Sequence, residues 1–186
     1  MRHALKLFAE RGYQATTMDD VAAEAGFTKP IVYQHFTSKE ALHTELVTTV
    51  AERLLQRLQV ASSSANTPRE LVEAAFQVYF TMVTEESDAF RLLFLQAPAS
   101  DAGSPSRGVE IRLLSFVEPL IPDELDDAHR QQLAGAVVGL AEGAAVIWLI
   151  EQEANGWPAV QPGEAERLAQ RVATLAWGGL RSVHRD

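Results

Sequence analysis

The stretch Thr17–Leu42, TMDDVAAEAGFTKPIVYQHFTSKEAL, decides how this 186-residue chain is read. Thr17 followed by Asp20 is the start signal of a helix: a hydroxyl caps the free amides and an acid complements the helix dipole. Met18, Val21, Ala22 and Ala25 give that helix an apolar side, and Gly26 supplies the tight or left-handed backbone that ends it. Thr28 caps the next helix, and Pro30 falls in its first turn, where a missing amide is harmless. Ile31, Val32 and Phe36 are its core anchors. Thr37 and Glu40 have capping-box spacing for a further helix. Residues 18–25 and 28–35 are therefore helix, short glycine turn, helix. That is the spacing of a helix-turn-helix, whose second helix enters the major groove by its N-terminal end. Buried helical hairpins share the spacing.

Upstream, residues 2–11 form an amphipathic helix with Leu5 and Phe8 at helical spacing and Gly12 as C-cap. The net charge of −9 argues against nucleic acid only until its distribution is examined. Residues 1–43 hold five Lys/Arg (Arg2, Lys6, Arg11, Lys29, Lys39) and five Asp/Glu (Glu10, Asp19, Asp20, Glu24, Glu40). The whole acidic excess lies downstream, and local charge at the contact face governs phosphate binding. The chain has no cysteine, which agrees with a reducing cytoplasm and excludes disulfides and cysteine chemistry. The N-terminus is too short and too charged for a signal peptide.

The run Leu7-Phe8, Gly12-Tyr13, Thr16-Thr17, Val21-Ala22, Ala25-Gly26, Val32-Tyr33, His35-Phe36 and Lys39-Glu40-x-Leu42 resembles the DNA-binding domain of TetR-family transcriptional regulators. The resemblance covers about residues 4–47. It implies that Thr28, Lys29, Pro30 and Gln34 lie on or near the leading turns of a recognition helix, where Lys29 suits guanine and Gln34 suits adenine or the DNA backbone. Thr17, Tyr33, His35 and Lys39 match positions that hold phosphates in the family. Their donors suit positioning without sequence reading. The bland alternatives are core packing for Tyr33, a helix-end cap for His35 and a solvated first-turn lysine for Lys39. The family pattern carries about ten residues before the first helix, often with a basic residue touching DNA; here Arg2 alone is available.

Downstream, a helix from Lys39 to about Ala61 carries the stripe Leu42, Leu46, Val50, Leu54 and Leu58. Ser62–Asn66 is a polar loop. Thr67-Pro68-Arg69-Glu70 opens a helix with an apolar face of Val72, Phe76, Tyr79, Phe80 and Val83. Phe90–Leu95 continues as a short helix ended by Pro98; residues 99–106 form a loop; Val109–Leu120 is a helix broken by Pro119 and Pro122. Leu133–Ile150 has one charge in 18 residues, long enough for a membrane span. Gly135, Gly139, Gly143, a mid-span Glu142 and polar flanks favour a buried helix of a soluble bundle. At 100° per residue, Gly135, Gly139, Gly143 and Val146 share one face, opposite Val137, Ala141, Ala144 and Trp148. The last helix, Glu164 to His184, carries Leu168, Val172, Leu175, Ala176, Gly179 and Val183.

The expected fold is all-α: an N-terminal three-helix helix-turn-helix domain, residues 1–43, then an orthogonal or antiparallel helical bundle, residues 44–186, about nine helices in total. The resemblance implies that the last two long helices form a dimeric four-helix bundle, with Gly135, Gly139, Gly143, Val146, Leu168, Val172, Leu175 and Gly179 at the interface; an intramolecular core fits the same stripes. It also implies a pocket among the middle helices. Candidate walls are Phe76, Tyr79, Phe80, Met82, Phe90, Phe94, Phe116 and Trp148, with Glu142 as a polar group for a cationic ligand or as a paired interface charge. The function implied is a sequence-specific transcriptional regulator, a cytoplasmic, nucleoid-associated homodimeric repressor on a palindromic operator, released by a hydrophobic or amphipathic effector. No cofactor and no metal are expected. The competing reading is a helical dimerisation or adaptor protein with weak or lost DNA binding. An enzyme is disfavoured: no Gly-x-Ser-x-Gly elbow, phosphate loop or His-Glu-x-x-His pair occurs, and the five histidines lack metal-ligand spacing.

Overall fold

The structure, a computed structural model, describes residues 1–95, 105–121 and 124–183, with the backbone alone at 105–107. Among the described residues there are nine α-helices and no strand, as expected from the sequence. They are α1 (Arg2–Ala15), α2 (Met18–Ala25), α3 (Lys29–His35), α4 (Lys39–Ser63), α5 (Pro68–Glu85), α6 (Ser87–Phe90), α7 (Pro105–Val117), α8 (Asp127–Ala154) and α9 (Glu164–Leu180). A π-helical turn, Arg91–Leu95, follows α6, and a 3-10 turn, Glu118–Leu120, follows α7. The expected stop at Pro98, most of the 99–106 loop, Pro122 and the His184 end of the last helix lie outside the described residues. Pro105 itself already opens α7.

The chain forms two compact units. The first comprises residues 1–53 and 86–109; the second comprises 54–85 and 110–186.

In the first unit, α1, α2 and α3 close around Ala4, Leu7, Phe8, Ala9, Met18, Val21, Ala22 and Val32, all buried. α1 also packs on α6, so Phe90, Leu92 and Leu93 join this core. Gly12 does not end α1 as a C-cap. Its backbone leaves the helical region (φ 80, ψ 165) and one further turn runs to Ala15. The carbonyls freed at this end are taken by side chains, as helix termini demand. The buried Thr16 hydroxyl donates to the Gly12 carbonyl at 2.8 Å and lies 3.3 Å from that of Leu7. Lys39 Nζ donates to the Tyr13 carbonyl at 2.8 Å and sits 4.4 Å from the Tyr13 ring centroid. Arg53 pairs with Glu86.

The start of α4 differs from the expected Thr37–Glu40 box: the Ser38 hydroxyl accepts from the Ala41 amide at 3.0 Å. Adjacent hydroxyls compete for one cap, and here the one nearer the first helical residue holds it.

In the second unit α5 packs along α9, the most extensive helix pairing. Small residues allow it: Ala169, Ala173 and Ala176 face inward on α9. α8 is long and apolar enough, by length and composition alone, to cross a membrane. Its Ala134, Ala141, Ala145, Trp148, Leu149 and Gln152 are buried in the unit. α8 begins six residues earlier than the hydrophobic run suggests, because Asp126 caps it by accepting from the His129 amide at 2.9 Å.

Candidate nucleic-acid interface and body cavity

α2 is held by a complete capping box. The Thr17 hydroxyl accepts from the Asp20 amide, and the Asp20 carboxylate accepts from the Thr17 amide at 2.9 Å and hydroxyl at 2.6 Å. These bonds from Thr17, ahead of Arg11 nearby, hold the Asp20 carboxyl below its usual range. Gly26 then takes the left-handed conformation (φ 70, ψ 24) and its amide reaches back to the last turn of α2. The turn is tight, so α3 starts at Lys29.

α3 spans two turns, and Val32 is its one buried residue. Two sequence expectations are corrected here. Ile31 is exposed, and Phe36 is half-buried. A helix this short needs one anchor, and Val32 fills the groove that Ile31, rotated 100° away, cannot reach. Thr28 occupies the N-cap position with an extended backbone, but its hydroxyl makes no capping bond.

The eight residues expected at DNA all sit in the first unit. Thr28, Lys29, Pro30, Tyr33, Gln34 and His35 are exposed on α3 and its leading edge. Three of the eight have polar atoms engaged within the protein. Thr17 is committed to its box. Lys29 Nζ lies 2.8 Å from one Asp19 carboxylate oxygen and 3.0 Å from the other, and 5.9 Å from the Tyr33 ring centroid. The Asp19 hydrogen bond raises the Lys29 pKa. Lys39 holds the end of α1 as described.

His43, beside Lys39, was not singled out by sequence. Its ring packs edge-on against Phe8 and Tyr13, with centroids 5.1 and 4.9 Å away. Its Nε2 is buried without a hydrogen-bond partner. Burial, and then the Lys39 charge, push its pKa below the ordinary imidazole value.

The second unit contains an apolar cavity of about 50 Å³ lined by residues of α4, α5, α7, α8 and the 3-10 turn. Of the expected walls, Phe76, Tyr79 and Phe116 line it. Phe80 and Met82 are buried in α5 outside the lining. Phe94 lies in the first unit, 5.0 Å from the Phe90 ring. Trp148 instead donates its indole N–H to Glu164 at 2.6 Å. Glu142, next to the wall residue Ala141, is half-buried. Its carboxyl is raised by burial and then by the Glu110 charge. Tyr79 is raised well above the usual phenol value by burial and then by Glu142. Ala141 and Val137, on the face of α8 shared with Trp148, line the cavity too, as do Leu58 of the α4 stripe and two residues to which sequence did not point, Ala75 and Val138.

The residues expected at a dimer interface differ in exposure. A side chain added at Gly139 or Gly143 would meet nothing within 4 Å, and at Gly135 only Leu114, at 4.0 Å. On the same side of α8, Ile147 is 57% and Ile150 55% exposed. On α9, Leu168 and Val172 are half-buried, while Leu175 is 62% exposed and Gly179 is open. Val146 is half-buried.

A capped helix, a left-handed glycine turn and a second short helix anchored by one residue and otherwise exposed form a helix-turn-helix, a unit that many DNA-binding proteins share. Comparison with known proteins narrows this. Residues 1–46 match the profile described as bacterial regulatory proteins, tetR family. The chain is 26% identical over 184 residues to the HTH-type transcriptional activator FasR of Mycolicibacterium smegmatis, covering 97% of this chain and 80% of that one. A TetR-like transcriptional regulator from Rhodococcus sp. RHA1 superposes with a TM-score of 0.76 at 25% identity, covering 98% of this chain and 93% of that one. The fatty acid degradation regulator FadR from Bacillus halodurans has the same fold, with a TM-score of 0.79 at 18% identity over 99% and 94% of the two chains. Residues 1–46 thus resemble the DNA-binding module of the tetR family, and the fold of the whole chain is that of TetR-like regulators.

Proposed function

We propose that this chain is a cytoplasmic, homodimeric, ligand-responsive repressor that binds a palindromic operator. Residues 1–43 are the DNA-binding domain and residues 44–186 the ligand-binding and dimerisation domain. The observation that carries the DNA-binding half is α3, anchored by Val32 alone and exposed at Thr28, Lys29, Pro30, Tyr33, Gln34 and His35. In this reading Thr28, Lys29, Pro30 and Gln34 meet base edges. Thr17, Tyr33 and His35 seat the unit on phosphates, and Lys39 uses its remaining donor capacity there.

Dimerisation follows from the open glycine and isoleucine face of α8 together with Leu168, Val172, Leu175 and Gly179 on α9. A second copy of the same two helices covers that face with matching small and large residues. Two recognition helices then read two half-sites, which one helix of two turns cannot do alone.

The cavity supports a hydrophobic or amphipathic effector, because its walls are almost wholly apolar. At about 50 Å³ it is far below the several hundred Å³ that a small-molecule ligand occupies. An effector therefore enlarges it, and so prefers a conformation of the body that is not the empty one. That differential affinity is what couples the effector to operator binding.

A salt-titrated gel shift with DNA flanking the gene tests the reading. Tight binding that weakens steeply with salt and outcompetes scrambled DNA is expected. Tyr33→Ala should weaken it about tenfold, as loss of one positioning contact. Binding equal for operator and scrambled DNA would favour the adaptor reading. Straight-chain alkyl amphiphiles of rising length, added to the shift, should release the DNA. FasR is named an activator, and a reporter fused to the bound DNA gives the sign here, with reduced transcription expected.

A further inference from the structure

The face of the helix-turn-helix carries two adjacent acids, Asp19 and Asp20, that do different things. Asp20 completes the capping box with Thr17 and faces Arg11 at 3.7 Å, so its place follows from the folding of α2. Asp19 complements the α2 dipole merely by being an acid in the first turn. That role does not require it to reach α3, yet its carboxylate grips Lys29, ten residues on, through both oxygens at 2.8 and 3.0 Å. The Tyr33 ring stands on the same ammonium at 5.9 Å. Both side chains of the ion pair are more than half exposed, so no burial forces them together.

We propose that Asp19 is a specificity-determining positioning residue. It tethers the Lys29 ammonium at the leading edge of α3, so that the lysine meets a base edge and is held back from phosphates. The inference rests on the reading of α3 as the recognition helix. A free lysine is a point charge on a flexible four-carbon stem, able to swing to the nearest phosphate on any sequence. Such a contact adds equally to operator and random DNA and so dilutes discrimination. A tethered ammonium keeps part of its three-donor capacity, and that remainder satisfies a guanine O6 or N7 acceptor brought up to it. To reach a phosphate it must first leave Asp19. The base contact is thus made without exchange and the phosphate contact only against it. Discrimination rises even though Asp19 adds a negative charge to a DNA-facing surface.

The test is the ratio of operator to scrambled-DNA affinity, measured on the full-length protein across a salt series. Asp19→Ala should raise affinity for scrambled DNA about two- to fivefold beyond any gain on the operator, the size expected of one exposed ion pair. It should steepen the scrambled-DNA salt slope by about one. The ratio should fall correspondingly. Glu24→Gln, on the same helix, removes a charge without touching the pair; it should shift both affinities together and leave the ratio unchanged. In a Lys29→Met background, Asp19→Ala should no longer change the ratio. An unchanged ratio in Asp19→Ala, or an equal fall in the Lys29→Met background, overturns the tether while leaving the regulator reading intact. A wild-type protein that does not distinguish operator from scrambled DNA overturns both.

Discussion

Around α2 and α3, polar groups are closed off locally. Thr17 bonds Asp20, Lys29 bonds Asp19, and Lys39 reaches back to the end of α1. Along α8 and α9 the opposite holds: among the described residues, Gly139 and Gly143 have open space beside them, and Ile147 and Leu175 are more than half exposed. Both regions are built of helices of the same protein, and they reach stability by different routes. The first unit adds to its buried core caps and charge-assisted bonds, each worth about 1 kcal/mol. A long helix pair relies on buried area, and part of its apolar surface stays exposed at Ile147, Ile150 and Leu175.

The strongest way to break the contrast is to remove the core beneath the caps. Phe8, on α1, is fully buried against Tyr13 and His43. Phe8→Ala should cost about 3–5 kcal/mol in chemical denaturation, and a loss under 1 kcal/mol would mean that caps alone hold the unit. Next, Leu175→Glu places a charge on the open face. Sedimentation equilibrium should show the dimer weakened by about 2–4 kcal/mol, with helicity by circular dichroism unchanged, since no contact within the chain is lost. An unaffected dimer would place the interface elsewhere. Third, Lys39→Met removes the ammonium from the α1 terminus and should lower stability by about 0.5–1 kcal/mol. The same variant reports on DNA, because a phosphate contact by Lys39 would show as a salt slope reduced by about one.

The smallest effect belongs to His43. Its folded pKa is depressed by burial and by Lys39, so the unfolded chain binds its proton first as pH falls. The contribution is complete above the ordinary value of 6.5 and is lost as pH drops from there through the folded value. Wild type should therefore lose more stability than His43→Gln between pH 7.5 and 5.5, two values chosen as roughly one unit either side of the ordinary pKa. Equal losses would show that His43 titrates as an exposed histidine.

The helix-turn-helix was legible in sequence because its signals are local. Thr17 with Asp20, Gly26 and Pro30 each act within a turn of their own position. Legibility failed at the next level of detail. Ile31 and Val32 are equally apolar neighbours, and which of them fills the groove depends on the packing of α1 and α2, not on α3. Thr37 and Ser38 are equivalent caps until the first residue of α4 is placed. The cavity was legible only in part, since a buried aromatic such as Phe80 and a wall aromatic such as Phe76 look alike in sequence. Hollows form where residues are small: Ala141 was at least placed on the Trp148 face of α8, whereas Ala75 gives no signal of its own. The union of α1 with α6 joins residues some eighty positions apart, which no periodicity records.

That union has a consequence for the order of synthesis. The face of α1 that meets Phe90, Leu92 and Leu93 is made at the start of translation, and its cover arrives only with residues 86–95. α5 lies between them in the chain, so a ribosome delivers it before the first unit can close. Grafting residues 1–43 onto another protein would carry α3 across together with that face of α1, now without its cover. A graft that retains residues 86–95 should be the more soluble of the two.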